Sequence, residues 1–166
     1  MGKSTLIKVL IGLFRSFEGD ILIDGVSIKK IFNKSLFSMF AVVFQDANLL
    51  SYTVSENITG RAECTEEDRV WEVIKKVGLE NKISEAPKRL QQQVHKYISH
   101  EGIEFFGGEA QKMVIARAIY KNAKIFILDE PTANLDALAE KDIYMRSSDK
   151  LHKAKRLYSF LIDWQV

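Results

Sequence analysis

Residues 105–118 read Phe-Phe-Gly-Gly-Glu-Ala-Gln-Lys-Met-Val-Ile-Ala-Arg-Ala, and after a short connection comes Ile125-Phe126-Ile127-Leu128-Asp129-Glu130-Pro131-Thr132. A Gly-Gly pair lets the backbone turn sharply and open a helix. Met113, Ala116 and Ile119 recur at helical spacing and predict the inward face of that helix. Four consecutive apolar residues predict a strand buried on both faces, as in a parallel sheet. The strand then runs into two adjacent carboxylates and a proline. A helix that leads directly into such a strand is part of a parallel α/β unit.

The rest of the chain repeats this alternation. Lys3 to Phe14 carry Leu6, Val9, Leu10, Leu13 and Phe14 on one face and predict a helix, weakened at Gly12. Gly19 to Gly25 predict a short strand ending in an Asp24-Gly25 turn. Phe40-Ala41-Val42-Val43-Phe44 predict a second doubly buried strand, ended by Gln45 and Asp46. Thr65-Glu66-Glu67-Asp68 has the form of a capping box. The helix it opens carries Val70, Trp71, Ile74 and Val77 and stops at Gly78. Ser84 to Gly102 are polar and irregular, with a short helix expected near Leu90 to Tyr97, and Leu135 to Ser147 are expected to be helical. The expected fold is α/β: a parallel-sheet core with a mostly helical, polar insertion between Phe44 and Ile125.

Composition narrows the function classes. With 166 residues the chain can bury the core of one domain. A formal charge of +2 gives no reason to invoke nucleic acid or an anionic membrane surface. One cysteine, Cys64, excludes an internal disulfide and fits a reducing compartment. No apolar run reaches spanning length and no signal peptide is visible, so membrane spans would come from another chain. His95, His100 and His152 lack zinc-ligand spacing and are expected to be solvated or structural, as is the basic cluster Lys150, Lys153, Lys155 and Arg156.

Three motifs carry chemistry. Gly2-Lys3-Ser4-Thr5 opens the first helix and matches the second half of a P-loop, in which a lysine and a helix amino end meet phosphate and a hydroxyl meets Mg²⁺. Asp129 and Glu130 end a buried strand, where one carboxylate can hold hydrated Mg²⁺ and the next can polarise a water. Gln45 follows the other buried strand. Each motif alone is common. In this order, with Pro131-Thr132-Ala133-Asn134-Leu135-Asp136 after the second carboxylate, the chain resembles the nucleotide-binding domain of ABC transporters from Gly2 to about Tyr144.

The resemblance implies a P-loop NTPase (RecA-like) core at residues 1–46 and 116–150, a helical and signature subdomain at 47–115, and a divergent tail at 151–166. It implies ATP and Mg²⁺ as cofactors. Gly2, Lys3, Ser4 and Thr5 would bind nucleotide; Ser4, Gln45 and Asp129 would hold the metal; Glu130 and Gln45 would be catalytic. Gly107, Gly108, Glu109 and Asp136 would face the nucleotide of a second such domain in a head-to-tail dimer. Thr53-Val54-Ser55-Glu56-Asn57-Ile58 looks like exporter-type members; its plain alternative is a capped surface helix. The implied function is the ATP-binding component of a transporter, on the cytoplasmic face of a membrane through a transmembrane partner. The alternative is a catalytically inert interaction module.

Several departures are visible. Phe105 and Phe106 stand where the family signature has leucine and serine, and Glu109 stands for glutamine. A phenyl ring cannot donate a hydrogen bond to phosphate. The upstream P-loop glycines, the strand before them and a switch histidine after Asp136 do not appear, so the fold is expected to be incomplete and of low stability.

Overall fold

The computed structural model describes residues 3–15, 17–44, 48–96 and 100–129. Helix α1 spans Lys3–Leu10. A hairpin follows, β1 (Leu22–Ile23) and β2 (Val26–Ser27). Its turn residues Asp24 and Gly25 both have positive φ, 48° and 79°, the geometry of a type I′ turn. The expected single strand at Gly19–Gly25 is therefore the first half of an antiparallel pair. Next come α2 (Asn33–Met39) and β3 (Phe40–Val43). Helices α3 (Val54–Thr59), α4 (Glu67–Lys76) and α5 (Glu80–Ser84) lead to the long α6 (Gly108–Lys121) and then β4 (Ile125–Leu128).

Strands β3 and β4 pair in parallel, Phe40 opposite Ile125 and Val43 opposite Leu128. Their alternation sorts side chains into two cores. Phe40 and Ile127 face α1, α2 and the hairpin, packing with Ile7, Leu10, Ile11, Ile28 and Leu36. Ala41 and Val43 face the other way, into the larger core built by α3, α4, α5 and α6. Both strand faces are covered, which explains the uninterrupted apolar runs. Fully buried Ile58, Ile74, Ile83 and Met113 tie each of these four helices into that core.

Helix ends account for most departures from expectation. Helix α1 stops at Leu10, four residues short of Phe14. Gly12 has φ 82°, its N–H donates to the Val9 carbonyl at 2.9 Å, and the Leu13 N–H reaches the Lys8 carbonyl at 2.8 Å. That is a Schellman ending, so Gly12 terminates the helix rather than weakening it. A Cβ at Gly12 would also lie 2.7 Å from Leu36 Cδ2. Gly78 closes α4 in the same way, through Leu79 N–H to the Ile74 carbonyl at 3.1 Å.

The capping box lies at α3, not at α4. Thr53 accepts the Glu56 N–H at 3.2 Å, and the Glu56 carboxylate accepts the Thr53 N–H at 2.8 Å. Helix α4 begins after Glu66 with no side-chain cap. Nor is α3 a surface helix: Val54, Ser55, Asn57 and Ile58 are buried. Where a helix was expected over 90–97, there is a 3₁₀ turn at Arg89–Gln91 followed by a strand-like rail. In that rail Gln93 bridges to Thr53, and Val94 bridges to Ile103. The expected helix over 135–147 lies outside the described residues.

Candidate functional site

The parallel pair delivers two chain ends to one edge. Past the last ladder pair, the Asp129 N–H donates to the Val43 carbonyl at 2.9 Å. Asp129 therefore leaves β4 alongside Phe44, the residue before Gln45. Ligands of open α/β sheets bind at the carboxyl ends of their strands. Asp129 is buried there, 6% exposed. Helix α1 packs on the same two strands through Ile7, Leu10 and Ile11, with Ser4 and Thr5 exposed in its first turn. Lys3 begins that helix. Gly2, Gln45, Glu130 and Asp136 lie outside the described residues, as does the Lys3 side chain. A hydroxyl and a carboxylate are hard oxygen donors, the set that suits Mg²⁺.

The start of α6 forms a second locus. Gly107 has φ 48°, a conformation that favours glycine, and is exposed. The Glu109 carboxylate turns back to accept the Phe106 N–H at 3.2 Å and pairs with Lys82 of α5. Burial alone would raise this carboxyl, but Lys82 and the Phe106 N–H outweigh it and hold it below the ordinary carboxylate range. The Lys82 ammonium also sits over the Phe105 ring, 5.1 Å from its centre. Phe105 is buried, whereas Phe106 is 71% exposed and points its ring away from the core. Lys82 thus holds the turn from two sides, through Phe105 and through Glu109.

A groove of about 590 Å³ lies between β3 and α6, floored by Phe40, Ala41 and Ile58. Arg61, Arg69, Arg117 and Lys121 line it, with Glu66 as the acidic member. The Tyr120 hydroxyl donates to Glu66 at 2.9 Å, and Arg69 reaches the same carboxylate at 2.8 Å. These two contacts hold the Glu66 carboxyl below its usual range. Arg117 Nε donates to the Asn57 carbonyl at 2.7 Å, and burial lowers the guanidinium's affinity for its proton. Sequence reasoning missed Asn57, Arg117 and Lys82 as organising residues. Lys82 meets Glu109 27 positions on and Arg117 meets Asn57 60 positions back, separations beyond any local pattern.

The family model described as "ABC transporter" matches residues 1–133. The chain belongs to the ABC transporter family. As an ABC chain it corresponds to the ATP-binding part, the P-loop NTPase fold. It is 41% identical over 143 residues to the ABC transporter ATP-binding protein YwjA of Bacillus subtilis, covering 86% of this chain and 24% of that one. To the subtilin transport ATP-binding protein SpaT of Bacillus subtilis it is 36% identical, with 86% and 24% covered. To the β-(1→2)glucan export ATP-binding/permease protein NdvA of Bartonella henselae it is 39% identical, with 84% and 23% covered. A bacterial Atm1-family ABC exporter solved with ATP bound superposes with a TM-score of 0.80 at 31% identity, covering 95% of this chain and 27% of that one. The chain thus spans about a quarter of the length of these relatives. No helix among the described residues is long and apolar enough to cross a membrane.

Proposed function

We propose that this chain binds Mg-ATP and couples its hydrolysis to transport, as the ATP-binding component of an exporter. The observation that carries the reading is Asp129. It is a buried carboxylate at the carboxyl end of a parallel strand in an ABC ATP-binding fold, with α1 packed on the same sheet. Lys3 and the α1 amino end would meet the phosphates. Ser4, Asp129 and Gln45 would hold the metal, which when bound neutralises triphosphate charge. Glu130 would accept a proton from the attacking water, oriented with Gln45.

Gly107, Gly108, Glu109 and Asp136 would serve the nucleotide of a second domain. The 590 Å³ groove would seat a cytoplasmic segment of a transmembrane partner. Its four cations against one carboxylate favour an acidic segment. In this reading the chain would lie on the cytoplasmic side, attached to the membrane through that partner.

The test is Mg-ATP turnover with Glu130→Gln as control. The substitution removes the base but keeps the shape, so turnover should fall about 100-fold or more while nucleotide still binds. Equal turnover in both proteins would remove Glu130 from the mechanism.

A further inference from the structure

Glu109 puts a negative charge in the first turn of α6, where a phosphate-facing turn tolerates it least. The amino end of this 14-residue helix is electropositive, so it attracts an external anion and a carboxylate of its own alike. The cap residue Gly107 has no side chain with which to accept a helical N–H. A carboxylate folded over that end would occupy the free N–H groups and repel phosphate.

Glu109 is drawn elsewhere. Its carboxylate accepts the Phe106 N–H at 3.2 Å, one residue before the cap, and pairs with the Lys82 ammonium; both partners lie outside α6. The Glu109 N–H returns to the Phe106 carbonyl at 2.9 Å and closes the turn on itself. Lys82 has a firm base, because Leu79 and Ile83 beside it in α5 are buried in the core. Its ammonium also lies over the ring of buried Phe105. Lys112, one turn along α6, adds a smaller attraction on Glu109. Among the described residues, a Cβ at Gly107 would meet nothing but its chain neighbours within 4 Å. The carboxylate is thus held toward α5, and the space over Gly107 stays open.

We propose that Lys82 is a positioning residue: it holds the Glu109 carboxylate on the Phe106 N–H, so that the Phe106-Gly107-Gly108 turn meets the phosphates of a second domain with that charge turned aside and compensated. The consequence for nucleotide rests on the proposed function; the placement of Glu109 by Lys82 does not. Both side chains are partly exposed, so salt should weaken the pair.

The test has two arms. In the full chain without nucleotide, the Phe106 amide should exchange about fivefold faster in Lys82→Met than in wild type, the upper scale for a partly exposed ion pair, and Lys82→Arg should restore the protection. Methionine keeps the reach of the side chain beside Phe105, so the packing is preserved. Raising salt from about 0.05 to about 0.5 M should bring the wild-type rate toward that of Lys82→Met, which a merely packing role would not do. In a Glu109→Gln background Lys82→Met should change nothing, because a neutral amide leaves no charge to place. In an assembled pair of ATP-binding domains, Lys82→Met should raise KM for Mg-ATP about fivefold, and again only while Glu109 is present. Equal Phe106 exchange in wild type and Lys82→Met, or a KM rise of the same size with Glu109→Gln, would overturn the proposal. An assembly that turns over no Mg-ATP would sink the proposed function and leave the exchange arm to decide how Glu109 is held, so the two readings fail separately.

Discussion

Replacing Asn57 with alanine should destabilise the protein by about 3 kcal/mol, lowering its melting temperature by about 6–12 °C. Asn57 is 2% exposed and works at every polar atom. Its Oδ1 accepts the Leu50 N–H at 2.9 Å and Arg117 Nη2 at 3.3 Å. Its Nδ2 donates to the carbonyls of Leu50 at 2.9 Å and Thr53 at 3.0 Å. Alanine would leave the Leu50 N–H without its partner, while the Leu50 and Thr53 carbonyls keep the Tyr52 and Asn57 N–H groups at 2.7 and 3.0 Å. The unsatisfied donor costs about 1–3 kcal/mol, and the lost Arg117 bond adds to it. The Arg117 bond to the Asn57 backbone carbonyl would survive, which limits the loss. Asn57→Asp keeps the acceptor side and should fall between wild type and alanine. Thermal unfolding of the three proteins checks this, and a shift below about 2 °C for alanine would contradict the role assigned to Asn57.

Asn57 also marks where the sequence stops being legible. In the chain it is one polar residue in a polar-looking stretch, and nothing local says that it is buried. The elements that were legible owe their form to local chemistry. Strands β3 and β4 are apolar on both faces because helices cover both, and α6 keeps its buried stripe of Met113 and Ala116. The Asp24-Gly25 turn was legible because positive φ at two successive positions demands such residues. Other features depend on distant partners. Thr53 and Thr65 both begin a Thr-x-x-acid pattern, but Glu66 is drawn to Tyr120 and Arg69, so α4 starts without a box. Gly12 ends α1 where Leu36 leaves no room for a side chain. Around the candidate site, the positions of Ser4 at the start of α1, of Asp129 at the end of β4 and of Gly107 just before α6 were legible. The pairing of Lys82 with Glu109 was not, because α5 and α6 meet only in three dimensions.

The second large effect is a gain. Phe106→Ser should raise turnover about 100-fold at the nucleotide site that this face closes in an assembled pair of ATP-binding domains. A hydroxyl at this position can donate to phosphate, and loss of one such donor typically costs about 100- to 1,000-fold in rate. At 71% exposure the phenyl ring contributes little to the core, so the substitution should change stability by less than about 0.5 kcal/mol. The positive φ at Gly107 and the Lys82 hold on Glu109 remain in place to present the new side chain. Steady-state ATPase assays of the assembly with and without the substitution check the expectation. Unchanged or reduced turnover would show that position 106 does not face the reacting phosphate.

Both the turnover expectation and the site assignment depend on one claim: a magnesium–triphosphate sits between the amino end of α1 and the Asp129 end of β4. Calorimetric titration of the chain with Mg-ATP, beside Lys3→Ala and Asp129→Asn, tests it most directly. The wild-type chain should bind saturably, Lys3→Ala should lose most of the affinity, and Asp129→Asn should lose the magnesium dependence. Binding of equal strength in all three proteins, or none in the wild type, would contradict it.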